Sequence, residues 1–511
     1  MLRTLKLFGA LICLLSITCS CANTAPTETS TPTTEITEET PMTEAPKELT
    51  EISAGLKSGN DFITNPVSGI TSIGDPFILV DNGKYYMYAT SAGIGFKCWV
   101  SDHLTSWSYV GLAYEKAATT FGVKNYWAPE VYKYNGTYYM VFSAIDENKV
   151  YHIGIASSST PEGPFKDCLG GKPLYSTGYS IIDASLFFDD DGRIYMYYSR
   201  DCSENVINGY HVSQSYGIEV ASDLMSVIGE PVLLTTPDVA WELQTGKYIW
   251  NEGPCVLKHN GTYYLMYSAN GYATNQYSVG YATSSSPLGT YTKSETNPII
   301  KGDGVKSSGT GHNNYFYSPD GTEIYTVYHT HTDPKNPSGN RTPCVDKLVF
   351  GEDGELYCFG PNIGRVPLPS GEDGTYKLFD GVNVSTDAKG ADVSVLTDQR
   401  LSTDKNTGVV TLSAEESVTV TLDEPRELYL VWVYNGTDTK TIPSRITLEI
   451  NGEYVIKDVR AQSASRSSNV ISLSNLPEGT KVHTIKISVT PQDGKESADI
   501  CEILLQYKIE E

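Results

Sequence analysis

The sequence predicts an all-β protein, a five-bladed β-propeller followed by an antiparallel β-sandwich. Three observations carry that prediction. A unit of Asn-Gly or Asp-Gly followed by a Tyr-bearing strand recurs five times: "DNGKYYMYATS" at Asp81, "YNGTYYMVFSA" at Tyr134, "DDGRIYMYYSR" at Asp190, "HNGTYYLMYSA" at His259 and "PDGTEIYTVYHT" at Pro319. The copies lie about 50 to 70 residues apart, which suits one four-stranded blade per repeat. Second, the chain holds 36 Tyr against 13 Phe, a bias that suits half-buried strands and sugar-facing surfaces, where a ring packs while its hydroxyl stays wet. Third, the repeats stop near Leu368, and short alternating runs such as "VTVTL", "LYLVWVY", "RITLEI" and "HTIKISV" take over.

At 511 residues the chain is too long for a single hydrophobic core, so several domains are expected. In chain order the first is a processing segment, residues 1–21. Arg3 and Lys6 flank the start of an apolar run, Leu7 to Leu15, too short for a good membrane span. The "SITCSCANT" that follows reads as a bacterial lipoprotein signal, with Cys21 as the lipidated residue, since small Ser20 precedes it, and Cys19 as the alternative. A plain secretory signal is the other reading, and both place the protein outside the cell, one of them anchored to a membrane. Residues 22–58 are rich in Thr, Glu and Pro and poor in apolar side chains, which predicts a linker that cannot bury enough surface to fold. The propeller is expected over 59–368 and the sandwich over 369–511.

The net charge of −24, with no cluster of Lys and Arg, excludes nucleic acid as a partner. The seven cysteines beyond the signal are scattered, odd in number and without zinc-site spacing, so they are read as small core residues.

In a propeller each blade's innermost strand lines the axis, and here that strand precedes the Asn/Asp-Gly turn. The five are "GDPFILV", "APEVYKY", "DASLFFD", "EGPCVLK" and "GHNNYFY". Each opens with an ionisable residue, Asp75, Glu130, Asp183, Glu252 and His312 respectively, six to nine positions before the turn glycine. Buried inner strands have no need of charge, so one polar group at a matched place in each blade points five of them into a shared axial funnel. Carboxylates converging in a Tyr-rich pocket suit glycoside hydrolysis, in which one carboxyl stays protonated to serve the leaving oxygen and another, ionised, activates water or attacks the sugar. Crowding like charges in a partly dry site separates their pKa values and produces both roles.

At these residues the chain resembles glycoside hydrolase family 43, whose fold is a five-bladed propeller. The resemblance covers residues 59–368 and rests on Asp75-Pro76, "WAPE" at Trp127 to Glu130, "IDASLF" at Ile182 to Phe187, "EGP" at Glu252 to Pro254 and "GTGHN" at Gly309 to Asn313, one mark per blade. It implies Asp75 as general base, Glu252 as general acid and Asp183 as the group that tunes and orients the acid. It implies inversion at the anomeric carbon, with Asp75 and Glu252 roughly 6.5–9.5 Å apart. Trp127 is expected to stack on a sugar and Glu130 to stand in the pocket wall. Arg341, in "SGNRTPC", resembles the family's late-blade arginine that reaches toward the catalytic centre. No cofactor is required. A histidine placed like His312 accompanies, in many relatives, a hydrated ion, often Ca2+, in the central channel, and an imidazole beside so hard a cation acts through water. "HTH" at His329 to His331 puts two rings on one strand face and is read as polar lining.

The implied substrate is a plant polysaccharide or oligosaccharide bearing arabinose or xylose. α-L-Arabinofuranosidase is favoured slightly over β-xylosidase, with an endo-acting arabinanase and a non-catalytic surface lectin as alternatives. The order of strands after residue 369 resembles a galactose-binding or discoidin-like module.

Overall fold

The computed structural model describes residues 48–511, apart from 56, 58–59, 372–375, 380, 402–407 and 509–511. The expected signal, with Cys19 and Cys21, and most of the Thr/Glu/Pro-rich segment lie outside the described residues.

Five four-stranded antiparallel sheets follow one another along the chain, over residues 74–115, 124–167, 181–235, 251–293 and 311–359. These are blades 1 to 5 of a β-propeller. Each begins with its inner strand: Gly74–Asp81, Lys124–Tyr134, Ile181–Phe188, Asn251–His259 and Gly311–Tyr317. The Asn-Gly turns behave as the sequence demands. Asn82-Gly83, Asn135-Gly136 and Asn260-Gly261 all hold positive φ at both residues, the geometry that matches the twist of a two-residue hairpin. Blades 3 and 5 turn through slightly longer Asp-bearing loops that end in Gly192 and Gly321.

The Tyr-rich strands supply the packing. Five hydrophobic clusters fill the five junctions between neighbouring blades. Phe77, Tyr88 and Phe142 lie between blades 1 and 2, for example, and Phe187, Tyr197 and Tyr267 between blades 3 and 4. The ring closes at the junction of blades 5 and 1, where Ile78, Met87, Phe316 and Val327 share a cluster. There Phe62–Asn65 pairs antiparallel with Gly364–Pro367. Buried Asn65 exchanges two hydrogen bonds with the Val345 backbone, at 2.8 and 2.9 Å, so the start of the propeller clasps its last blade.

The C-terminal region is an antiparallel β-sandwich. One sheet is built from 382–386, 417–426, 482–490, 445–450 and 454–460, and the other from 376–379, 497–508, 428–435 and 468–472, with 410–413 alongside 497–500. Inward-facing Val418, Val431, Leu448 and Ile487 are among the residues of the core between them. The segment expected as linker up to residue 58 folds earlier than that. Thr50–Glu51 pairs in parallel with Tyr454–Val455, Gly55 N–H donates to Ser472 O, and Ile52 and Ala54 pack on the sandwich core, because apolar side chains return to the sequence at this point. A separate apolar cluster, including Phe62, Phe359, Leu430, Trp432 and Leu504, joins the sandwich to the closing strands of the propeller.

Six of the seven cysteines among the described residues are buried.

Candidate active site

Every inner strand carries the same irregularity near its start. Register shifts between Gly74 and Phe77, Trp127 and Glu130, Ile182 and Ser185, Glu252 and Cys255, and Gly311 and Asn314, so two residues there oppose one on the next strand. This is a β-bulge, a device that re-aims side chains. Its first residue is left-handed in all five blades: Asp75 (φ 53°), Ala128 (45°), Asp183 (58°), Gly253 (58°) and His312 (50°). Four of these five are not glycine, so the backbone conformation is strained and held by its surroundings.

Those surroundings form a chain of side-chain to backbone hydrogen bonds around the axis. Thr90 Oγ1 accepts from Ala128 N at 2.8 Å, Ser143 Oγ from Asp183 N at 2.8 Å, Ser268 Oγ from His312 N at 2.7 Å, and His329 Nδ1 from Asp75 N at 3.3 Å. Thus a residue of each blade's second strand fixes the bulge of the next. The fifth link differs. Gly253 N donates to Asp183 Oδ2 at 3.3 Å, and the Ser199 hydroxyl has no partner among the described residues.

The position just before the bulge residue also recurs, as Gly74, Trp127, Ile182, Glu252 and Gly311. In two blades it must be empty. A Cβ on Gly74 would lie 2.0 Å from Arg341 Nη2, and one on Gly311 would lie 2.2 Å from the Tyr277 ring. The space so cleared admits the two side chains that hold the outer carboxylates. Arg341 Nη1 sits 2.9 Å from Asp75 Oδ1, and Tyr277 Oη donates to Glu252 Oε1 at 2.9 Å.

Asp75, Asp183 and Glu252 come together in this constellation. All three are nearly buried; the charges of Asp75 and Asp183 both act on Glu252, and that of Asp75 acts on Asp183. Asp75 also accepts from Thr90 Oγ1 at 2.6 Å and faces His312 Nδ1 at 3.3 Å. Burial pushes the Asp75 carboxyl up, but the Arg341 guanidinium foremost, then His312, His329 and the Thr90 hydroxyl, hold it well below the usual carboxylate range. Among the described residues Glu252 makes no ion pair with a basic side chain. Burial, reinforced by the negative charge of Asp183, drives its pKa well above the ordinary value. Asp183 is raised too, by burial, with the positive field of His312 opposing and Asp75 adding to the rise. The site therefore holds carboxyls whose pKa values are pushed in opposite directions, Asp75 down and Glu252 up.

The remaining expected residues fall in different places. Arg341 is bound to Asp75, and its guanidinium also lies 4.8 Å from the Tyr272 ring centroid. Trp127 occupies the same register position as Glu252 and stacks on Tyr151 at 4.6 Å. Glu130, expected in the pocket wall, lies two residues past the left-handed Ala128 and is buried. One of its oxygens accepts from Asn314 Nδ2 at 2.8 Å and the other from Tyr132 Oη, so both are occupied by protein. Burial raises its pKa to about 8, and it ties blade 2 to blade 5 as a neutral acid. His331 Nε2 donates to Tyr272 O at 2.8 Å and so fixes that backbone. His329 stacks on Tyr277 at 5.5 Å, and burial keeps it far below its ordinary pKa.

A calcium ion at His312 would meet a ring nitrogen already facing the Asp75 carboxylate, not a cage of oxygens. Among the described residues no group of three or more His, Cys, Asp or Glu side chains is disposed to hold a metal. The residues present do not fit a directly ligated hard cation.

Sequence reasoning missed Tyr277 and Thr90. Tyr277 lies just ahead of the third strand of blade 4, where no repeated motif marks it. Thr90 ends the second strand of blade 1, and its signal was the run of small hydroxyl residues at matched places, Ser143, Ser199 and Ser268.

Residues 63–356 match the profile of glycosyl hydrolases family 43. Among characterised proteins, a β-D-galactofuranosidase of Aspergillus niger is 32% identical over 308 residues, 55% of this chain and 81% of its own length. An α-L-arabinofuranosidase of Humicola insolens is 27% identical, over 50% of this chain and 53% of its own length. Among solved structures, a thermostable family-43 glycoside hydrolase superposes with a TM-score of 0.57 at 48% identity, covering 60% of this chain and 98% of that one. An endo-1,4-β-xylanase from Bacteroides thetaiotaomicron does so at 0.51 and 37%, covering 58% and 98%. With the profile spanning more than half of its length, the chain belongs to glycoside hydrolase family 43 and is a glycosidase hydrolysing O-glycosyl bonds.

Proposed function

We propose that the chain is an extracellular, inverting hydrolase that releases α-L-arabinofuranosyl or β-D-xylosyl units from plant hemicellulose or pectin side chains, arabinofuranosyl foremost. The observation that carries this reading is the division of protons within the carboxylate trio. Asp75 is held ionised by Arg341, while Glu252 is kept protonated by burial and by Asp183.

In this mechanism a water molecule attacks the anomeric carbon and gives its proton to Asp75 as the new C–O bond forms. On the opposite side the glycosidic C–O bond breaks, and Glu252 transfers its proton to the departing oxygen. Asp183 touches the Gly253 N–H beside the acid and keeps a negative charge close, which sustains the protonated form of Glu252. Tyr277 fixes the acid's orientation through Oε1 and leaves Oε2 to carry the proton. Arabinofuranosidase and extracellular arabinofuranosidase names among relatives from Humicola insolens and Streptomyces avermitilis support the sugar and the location. An anchor at Cys21 would hold such an enzyme at the cell surface.

The test pairs 4-nitrophenyl α-L-arabinofuranoside and β-D-xylopyranoside with linear arabinan, and follows the first-formed anomer by proton NMR. Release of the inverted anomer from an aryl glycoside is expected, and release of the retained anomer would overturn the mechanism. Fragmentation of arabinan from within the chain would identify an endo-acting arabinanase instead.

A further inference from the structure

Between the second and third strands of blade 3, and again before blade 4, the chain departs from the propeller plan to build a small extra sheet. Val206–Ile207 pairs antiparallel with Tyr210–Val212 around an Asn208-Gly209 turn, and Tyr210–Val212 pairs in parallel with Tyr248–Ile249. No blade needs this sheet for its core. Its register sets His211 directly opposite Tyr248, and the two rings stack at 4.4 Å, 11° from parallel.

The strand then runs straight into the catalytic acid. Alternation puts Tyr248, Trp250 and Glu252 on one side, with Ile249 and Asn251 buried on the other. The Trp250 ring lies 6.1 Å from that of Tyr248, 24° from parallel, which extends the row of rings toward Glu252. Each ring is held in place. His211 Nδ1 faces the carbonyls of Cys202 and Ser203 at 3.2 and 3.1 Å. Trp250 packs against Gly271, where a Cβ would come to 3.3 Å from its ring. Yet the outer end of the row is open, since Tyr248 is 48% and Tyr210 47% exposed. Fixed, exposed aromatic rings leading up to a proton donor are a surface on which sugar rings can rest at little ordering cost.

We propose that the His211–Tyr248–Trp250 row is a subsite for the leaving-group side of the substrate, taking further sugar rings of a glycan chain beyond the scissile bond. The inference rests on the reading of Glu252 as general acid, because that group marks the side of the cleavage point on which the departing oxygen lies. It makes the natural substrate an oligosaccharide or polymer rather than a glycoside of a small alcohol.

The experiment compares kcat/KM on the 4-nitrophenyl glycoside that the enzyme cleaves with kcat/KM on oligosaccharides of the same sugar, three to five units long. In Tyr248→Ala the oligosaccharide-to-aryl ratio is expected to fall about tenfold, the size of one aromatic stacking contact. Tyr248→Phe keeps the ring and should hold the ratio within about twofold. An unchanged ratio in a Tyr248→Ala protein with wild-type circular dichroism and melting temperature overturns the proposal, as does an equal loss on both substrates. A changed sedimentation coefficient with an unchanged ratio would assign the exposed rings to self-association and overturn it too. Glu252→Gln separates the two readings. If that variant still cleaves oligosaccharides at the wild-type rate, the assignment of the acid fails; if it is inactive while the ratio in Tyr248→Ala stays level, only the subsite fails.

Discussion

The phenol of Tyr277 donates to Glu252 Oε1 over 2.9 Å, in a space that exists because position 311 is glycine. A hydrogen bond to the charged form of a carboxyl favours that form, so this contact opposes the burial that protonates Glu252. Tyr277→Phe should therefore raise the pKa of Glu252 further. The alkaline limb of the kcat/KM profile is expected to move to higher pH, while kcat falls about tenfold as the acid loses its orienting partner. A pH–rate profile on the aryl glycoside reads both effects.

Arg341 has the opposite influence on Asp75. Without the guanidinium, burial is left as the largest influence on that carboxyl and pushes its pKa upward. Arg341→Ala should move the acidic limb of kcat/KM to higher pH and lower kcat on the order of 100-fold as the base becomes protonated in the working range. Gly74→Ala tests the same contact while leaving both side chains chemically intact. The added methyl meets Arg341 Nη2, the far end of a flexible side chain, so the guanidinium is displaced and the acidic limb moves in the same direction by a smaller amount.

Glu130 governs stability rather than turnover. Its folded pKa, about 8, lies above the 4.5 of an unperturbed glutamate, so between those values the native state binds a proton that the unfolded chain has released. This contribution is full below the unfolded pKa and is lost as pH rises toward 8. Glu130→Gln mimics the neutral acid and removes the dependence. Urea unfolding at pH 5 and pH 8 should show the variant losing less stability over that interval than the wild type, by on the order of 3 kcal/mol.

Gly311→Ala is the most disruptive small change available at the mouth. Its Cβ would meet a fully buried aromatic ring at 2.2 Å, and that ring cannot step aside without breaking its bond to Glu252 and its stack on His329. A loss of roughly 1–3 kcal/mol in stability, measured by chemical denaturation, should accompany a loss of activity at least as large as that of Tyr277→Phe.

The fold could be read from the sequence because its punctuation is local. Asn-Gly favours positive φ at both residues, and three such turns together with two Asp-Gly loops, each followed by a matching strand, leave few architectures open. Asp75, Asp183 and His312 could be read in the same way, since they occupy one equivalent position. Glu130 and Glu252 do not. The left-handed residue stands eight places before the turn glycine in the two-residue hairpins, as in 75 to 83, 128 to 136 and 253 to 261, and nine in the longer turns. Glu252 is one place earlier and Glu130 two places later. Counting to the nearest ionisable residue treats all of them alike, although one bulge turns them in different directions. Tyr277 and the row at His211, Tyr248 and Trp250 depend on contacts between distant segments, which repeat-matching does not reveal. The tether's end was hidden because a two-residue strand gives too few positions to show a period.

The polypeptide enters the sandwich at residues 50–55, crosses to clasp the propeller at 62–65, and returns only after 364–367. Phe62, Phe359 and Trp432 pack in one apolar cluster where the catalytic and C-terminal parts meet. Severing the chain after Leu368 would thus strip the lid from the very seam that holds the ring shut, so a protein trimmed to its propeller should melt earlier and lose its cleft with its clasp.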